Sequence, residues 1–381
     1  MLYLDNAATT AVRPEVLGAM LPFLTHRFGN PSSHHTVGED AAAALSDARA
    51  RVARVLGMRS SDIVFTSGGT EANNLAVKGI AVAALLQRGA RHIVTSPIEH
   101  ESILESVDHL VRVHGFERTL VPVDARGRLS PDDLAGALRD DTALVSIGYA
   151  NNEVGTVQDA AALVAVTRGR GIPLHLDAVQ AAGWLPLDRG SRGADALSLA
   201  GHKLGAPKGT GLLAVRGRIP LEPLLHGGGQ ERGRRSGTED VAGAVGLATA
   251  LELAERERDG EAAALSALRD EFVARVLASV PSARLTGDPV NRLPATASFT
   301  FAGTSGEAVL LELERRGVVS SSGSACAAGS DEPSHVLVAL GVSPDVALTA
   351  VRFTFPHGRR DTLAPVADAV AASVAAVGSG G

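Results

Sequence analysis

The chain has a single cysteine, Cys326, in 381 residues. One thiol excludes an intrachain disulfide and a cysteine-cluster zinc site, and its scarcity fits a reducing compartment. No other metal site is expected. Aromatic residues make up 3% of the chain, so the core must be built mainly from Ala, Val and Leu. No apolar run approaches the length of a membrane span. The first residues, Met1-Leu-Tyr-Leu-Asp-Asn, lack the basic region and apolar core of a signal peptide. A cytoplasmic protein is therefore expected. Net charge is −6 and no long basic run exists, so neither nucleic acid nor a membrane is an expected partner. The one local basic cluster, Arg232 to Arg235, reads as a small-anion or subunit contact. Lysine is scarce as well: of 36 basic side chains only Lys78, Lys203 and Lys208 are lysines. A chain so biased toward Arg keeps Lys where guanidinium cannot serve. Forming a Schiff base is such a task, because an amine can lose its proton and attack a carbonyl.

What is present is an ordinary globular composition, 45% hydrophobic and 20% charged. From residue 63 onward a βα rhythm begins. Strands are expected at 63–65, 92–95, 118–123, 143–149, 173–176, 196–199 and 212–215. Helices are expected at 70–87, 101–114, 131–138 and 160–168, with earlier ones at 14–25 and 38–56. Such alternation predicts an α/β fold with a mainly parallel sheet and helices on both faces. Ligands of such sheets bind at the carboxyl ends of the strands. Residues 241–278 read as helical with a break near Asp259-Gly260. Beyond them, short strands and helices suggest a smaller α/β domain. The expected division is 15–258 as a large cofactor domain, with 1–14 and 259–381 as the small one.

The strand ends carry polar residues of a consistent kind. Ser67-Gly-Gly-Thr-Glu-Ala-Asn follows a strand and opens a helix, where small residues and free N–H groups suit an anion. It is neither a P-loop nor a dinucleotide fingerprint. Asp177, in His175-Leu-Asp-Ala-Val-Gln180, either caps a helix or meets a protonated ring nitrogen. Gln180 shares its side of the turn and suits a ring oxygen. Asn151 and Asn152 are turn formers or ligands. His100 follows another strand end. Lys203 lies in a glycine-rich turn. An amine, a carboxylate, an imidazole and a phosphate cradle on one sheet edge form the set that pyridoxal 5'-phosphate requires.

With these residues in view, the chain resembles the cysteine desulfurases, pyridoxal phosphate enzymes of fold type I in the class V aminotransferase-like group. The motifs are Tyr3-Leu-Asp-Asn-Ala-Ala-Thr-Thr, Ser67-Gly-Gly-Thr-Glu-Ala-Asn-Asn, Glu99-His100, Asn151-Asn-Glu-Val-Gly, Asp177-Ala-Val-Gln, Gly201-His-Lys, Arg235-Ser-Gly-Thr, Gly323-Ser-Ala-Cys and Val351-Arg-Phe. The resemblance implies that Lys203 holds the cofactor as a Schiff base and removes the substrate Cα proton. His100 stacks on the ring and helps proton transfer at the substrate thiol. Asp177 and Gln180 bond the ring nitrogen and oxygen. Gly69, Thr70 and His202 hold the phosphate, joined by Thr238 from the second subunit of a homodimer. Asn152 and Arg352 bind the carboxylate of L-cysteine. Cys326 is the nucleophile, carrying sulfur as a persulfide to an acceptor protein while alanine leaves. Its surroundings, Ser320-Ser-Ser-Gly-Ser-Ala-Cys-Ala-Ala-Gly-Ser, hold no large apolar residue and read as a mobile exposed loop.

Two departures stand out. Many such enzymes have Ser two residues before the histidine of the Gly-His-Lys motif; this chain has Ala200, which removes one phosphate hydrogen bond. After Arg352 the chain runs Phe-Thr-Phe-Pro-His-Gly, where Ser, Leu and Gly are usual. The competing readings are a selenocysteine lyase or another class V pyridoxal phosphate enzyme and, from another class, a non-catalytic sulfur-relay scaffold. Iron–sulfur cluster assembly, tRNA thiolation and DNA phosphorothioation all draw on such enzymes, and the residues single out none of them.

Overall fold

The computed structural model describes residues 1–323 and 332–378. Strand β1 (Leu2–Tyr3) opens the chain, followed by helices α1 (Pro14–Thr25) and α2 (Thr36–Leu56). Pro14 starts α1, where a missing N–H costs nothing. Gly57 ends α2 in the left-handed conformation at φ 61°. Then come β2 (Ile63–Thr66), α3 (Gly69–Asn74), one π-helical turn (Leu75–Gly79) and α4 (Ile80–Arg88). The alternation continues through β3 (His92–Thr95), α5 (Glu101–His114), β4 (Glu117–Leu120), α6 (Pro131–Ala137), β5 (Thr142–Gly148), α7 (Ala160–Gly169) and β6 (Leu174–Asp177). After α8 (Leu187–Gly190), β7 (Ala196–Ala200) and β8 (Gly211–Val215) complete the main sheet. Strand β4 ends earlier than the sequence suggests, because Pro122 has no N–H to continue the ladder.

Seven strands form this sheet in the order β2-β8-β7-β6-β5-β3-β4. Neighbours pair in parallel except at β8, which is antiparallel to both β2 and β7. Two antiparallel steps bring β2 back into the common direction. The carboxyl ends of β2, β3, β5, β6 and β7 therefore share one edge, the edge that positions the site. Apolar side chains cover both faces: one core lies against α1, α2, α7 and the helix after β8, and another lies between the sheet and α3 to α5.

The second part starts with α9 (Val241–Ser279), a single 39-residue helix. The break expected near Asp259-Gly260 does not occur. The first half packs on α1 and α2 and the second half reaches the last helix, so tertiary contacts on both sides outweigh one weak residue. Strands β9 (Ala283–Leu285), β10 (Thr296–Phe301), β11 (Val318–Val319) and β12 (Val351–Thr354) follow, with α10 (Gly306–Arg315), α11 (His335–Ala339), α12 (Pro344–Ala347) and α13 (Ala364–Gly378). An antiparallel sheet, β12-β10-β9, packs on α9 and α13 through a core where Phe272 meets Phe299, Phe353 and Phe355 edge-on. Phe353 and Phe355, on either side of Thr354 after Arg352, thus fill this core. Strand β1 pairs with β11, Leu2 opposite Val318, so the first residues are tied to the last third of the chain.

Candidate active site

The sheet edge opens into a cavity of about 560 Å³, a size suited to a small cofactor and its substrate. Gly69, Thr70, His100, Asn152, Asp177, Gln180, His202, Lys203 and Arg352 all line it. They come from α3, the start of α5, the loops after β5, β6 and β7, and β12. Thr238 does not reach this cavity; it lines a smaller one of about 180 Å³ with Ser67 and Arg235. Cys326 lies outside the described residues.

Lys203 closes a short helical turn directly after β7. Its Nζ donates to the carbonyl oxygens of Ala7 and Ala8, the latter at 2.7 Å. Gln180 Nε2 donates to the same Ala7 oxygen at 3.0 Å. The segment after β1 therefore crosses the cavity as a strap. Thr10 Oγ1 bonds the carbonyl of His202, and His202 Nδ1 lies 3.2 Å from Thr9 Oγ1. Burial, then Lys203 and Lys208 nearby, push the His202 imidazole down to about 4, so it stays neutral at pH 7.

Asp177 is the last residue of β6 and is 8% exposed. Its Oδ1 accepts from Val179 N at 2.9 Å and its Oδ2 from Asn73 Nδ2 at 2.7 Å. One pleat below, His175 bridges Ser146 and Ser198 on the flanking strands at 2.9 and 2.8 Å. Burial holds that ring neutral, at about 4. Glu99 is also buried against the site, accepting from Ser96 Oγ and Gly148 N, both at 2.5 Å. Desolvation, assisted by the charge of Asp177, pushes Glu99 up to about 8 despite those two donors. The edge thus holds neutral His175 and His202 and a protonated Glu99.

The start of α3 is shaped for close approach. A Cβ on Gly69 would sit 2.9 Å from Val179 Cγ2 and 3.3 Å from Ala200 Cβ. A Cβ on Gly211 would meet the backbone of Gly68 at 2.5 Å, so glycine lets β8 pass directly beneath the turn. With Thr70 in the first turn, this helix start has the small residues and free N–H groups that an anion would need.

Arg352 is fully buried on β12. Its Nη1 donates to the carbonyls of Asn152 (2.8 Å) and Gly323 (2.7 Å), and its Nη2 to Asp5 Oδ1 (2.6 Å). Asn151 is a turn former: its Oδ1 accepts from Glu153 N and Val154 N, both at 2.9 Å. Arg232, Arg234 and Arg235 spend their guanidinium groups within the chain, on the carbonyls of Ser60, Ser61 and Ile63 and on Glu71.

Sequence reasoning missed Asp5, Asn73, Glu99 and Ser102 as site residues. Asp5, Asn73 and Glu99 stand inside motifs that were noticed, but only folding reveals what they touch. Among the described residues no cluster of three His, Cys, Asp or Glu side chains could hold a metal, and no helix is long and apolar enough to cross a membrane.

Comparisons with known proteins agree with this architecture. The aminotransferase class-V family model matches residues 2–358. The chain is 46% identical to the cysteine desulfurase IscS of Dictyoglomus turgidum, over 93% of this chain and 89% of that one. Among solved structures, a NifS-like protein superposes with a TM-score of 0.88 at 35% identity, covering 99% of this chain and 98% of that one. SspA in complex with cysteine gives 0.82 at 37%, covering 94% and 99%.

Proposed function

Since the chain belongs to the class-V aminotransferase family, among its cysteine desulfurases, we propose that it converts L-cysteine to L-alanine and hands the sulfur to Cys326 as a persulfide. The observation that carries this reading is the convergence of Lys203, Asp177, His100 and Arg352 on one cavity.

The residues present fit pyridoxal 5'-phosphate. A carboxylate, an amine and a Cβ-free helix start line one space. Lys203 would hold it, Asp177 and Gln180 would bond its ring, and Gly69, Thr70 and His202 its phosphate, with Ala200 contributing no hydroxyl. Thr238 would come from the second subunit of a homodimer. When bound, the cofactor supplies an electron sink for the carbon next to the amine.

The chain's own groups do the rest. Arg352, with Asn152, takes the substrate carboxylate and fixes the molecule by its acid end. The Lys203 amine would remove the Cα proton and return it. His100 presents its ring to the cavity beside the substrate sulfur. Glu99, being protonated, leaves Asp177 free of a second negative neighbour. The Cys326 thiolate attacks the substrate sulfur: an S–S bond forms, the C–S bond breaks, and alanine leaves with the protons restored. No external oxidant is needed, because cysteine plus thiol equals alanine plus persulfide.

The division into a domain of 15–258 and one of 1–14 with 259–381, a cytoplasmic location, and delivery to an acceptor protein such as an iron–sulfur scaffold belong to the same reading. Incubation of the holoprotein with L-cysteine tests it. Alanine and sulfide should form in equal amounts under reducing conditions. Cys326→Ala should bind cofactor yet form no persulfide. Alanine formation untouched by Cys326→Ala would replace this reading with another class V activity.

A further inference from the structure

Resting on the desulfurase reading, we infer that Asn73 and Ser102 are positioning residues that lock His100 as the neutral ring protonated on Nε2, so that it meets the substrate sulfur as a hydrogen-bond donor and not as a base.

The argument begins at the start of α5. His100 caps this helix: the backbone N–H of Ser102 donates to His100 Nδ1 at 3.0 Å. A peptide N–H can only donate, so Nδ1 must present its lone pair. The hydroxyl of Ser102 lies 2.8 Å from the same nitrogen. The direction of that second contact follows from Asn73. Its side-chain atom 2.7 Å from Asp177 Oδ2 faces a carboxylate, which only accepts, so that atom is the amide nitrogen. The nitrogen's other hydrogen goes to Ser102 Oγ at 2.9 Å. With its oxygen accepting from Asn73, Ser102 has its own proton to give to Nδ1. Donors thus run from Asn73 to Asp177 on one branch, and from Asn73 through Ser102 to His100 on the other.

Asn73 and Ser102 are 2% and 8% exposed, so water does not scramble this order. Asn73 Oδ1 is left buried with no protein partner among the described residues. A residue serving only to fill space would not carry that penalty.

The consequence is chemical. With Nδ1 receiving two donors, the ring's proton sits on Nε2, the nitrogen left for the cavity. A base at Nε2 would need the proton on Nδ1, against the Ser102 N–H. An imidazolium would meet the same conflict. His100 is therefore a donor of fixed polarity that stabilises a substrate thiolate, and the thiol proton leaves to solvent before or during binding. A neutral imidazole serves as a donor in this way in triosephosphate isomerase.

Long-range ¹H–¹⁵N correlation on the ¹⁵N-histidine-labelled holoenzyme tests the proposal. His100, one of 12 histidines, is assigned by its loss in His100→Gln. At neutral pH the expected pattern is a bare Nδ1 and a protonated Nε2; a proton on Nδ1, or on both, overturns the proposal. In Ser102→Ala the Nδ1 resonance should move toward the unbonded position. The alanine-forming rate should fall roughly threefold to tenfold, the weight of one net hydrogen bond. An unmoved resonance reduces Ser102 to packing and overturns its role. His100→Gln, which keeps an N–H near the Nε2 position, should retain at least tenfold more activity than His100→Ala; equal loss would point to a base instead. The NMR pattern needs no turnover. A parent protein that makes no alanine would therefore defeat the desulfurase reading alone.

Discussion

Lys203 and Arg352 show how differently two cations serve one cavity. Lys203 rests on two backbone carbonyls, a hold that a cofactor aldehyde can replace without leaving a buried charge. Lys203→Ala should abolish alanine formation and the visible absorbance of the bound cofactor, while the melting temperature stays within a few degrees of the parent. Retained colour and turnover would remove Lys203 from the chemistry. Arg352 is built into the fold: two carbonyls and Asp5 fix its plane. Lys at this position keeps the charge but loses the fork. Arg352→Lys should raise KM for cysteine about tenfold or more and also lower the melting temperature, a paired effect that Lys203→Ala lacks. Steady-state kinetics beside a thermal melt checks both. The sequence announced these two residues because each stands in a motif at a strand. It was silent on Asp5 as the partner of Arg352, since 347 residues separate them and only the fold, by pairing Asp5 with Thr354 beside Arg352, brings them together.

Elements, more than residues, were legible where a single period governs them. The strands of the main sheet are short apolar runs followed by polar turns, so their polar ends pointed to the edge of the site, while the resemblance supplied Arg352, which lies on β12 of the other sheet. Helix α9 was legible in its extent but not in its continuity, because Gly260 looks like a terminator in isolation. In the fold Gly260 is exposed, and a Cβ added there meets nothing within 4 Å. Its helical backbone accepts any L-residue. Gly260→Ala should therefore stabilise the protein by about 0.5–1 kcal/mol, through a less flexible unfolded chain and better helix propensity. Urea unfolding would show this as a higher midpoint at unchanged slope. A destabilised variant would mean that the helix does break at this glycine.

Across the whole molecule, the site contributes its own pH dependence to the stability of the fold. Three groups at the sheet edge, Glu99 and His175 buried and His202 half-buried, keep the neutral form: Glu99 at about 8, His175 and His202 at about 4. An unfolded glutamate releases its proton near 4.5, so between there and 8 the folded chain holds one proton more than the unfolded chain. Stability contributed by Glu99 therefore falls as pH rises through that window. The histidines act in the opposite sense. Unfolded, they charge below 6.5; folded, only near 4, so acid favours unfolding. The contribution of these three groups is greatest near pH 6.5, with one net proton lost on unfolding on the alkaline side and one net proton gained on the acid side until Glu99's unfolded value is reached. Glu99→Gln keeps the shape and the Ser96 and Gly148 neighbours but removes the titration. Between pH 6.5 and 8 the parent should lose on the order of 1–2 kcal/mol that the variant does not, at about 1.4 kcal/mol per proton per pH unit. Urea unfolding of both proteins at half-unit steps from pH 5.5 to 8.5 measures the difference. Parallel curves over that range would show that Glu99 is already ionised in the folded chain, and that Glu99 and Asp177 together carry two negative charges and not one.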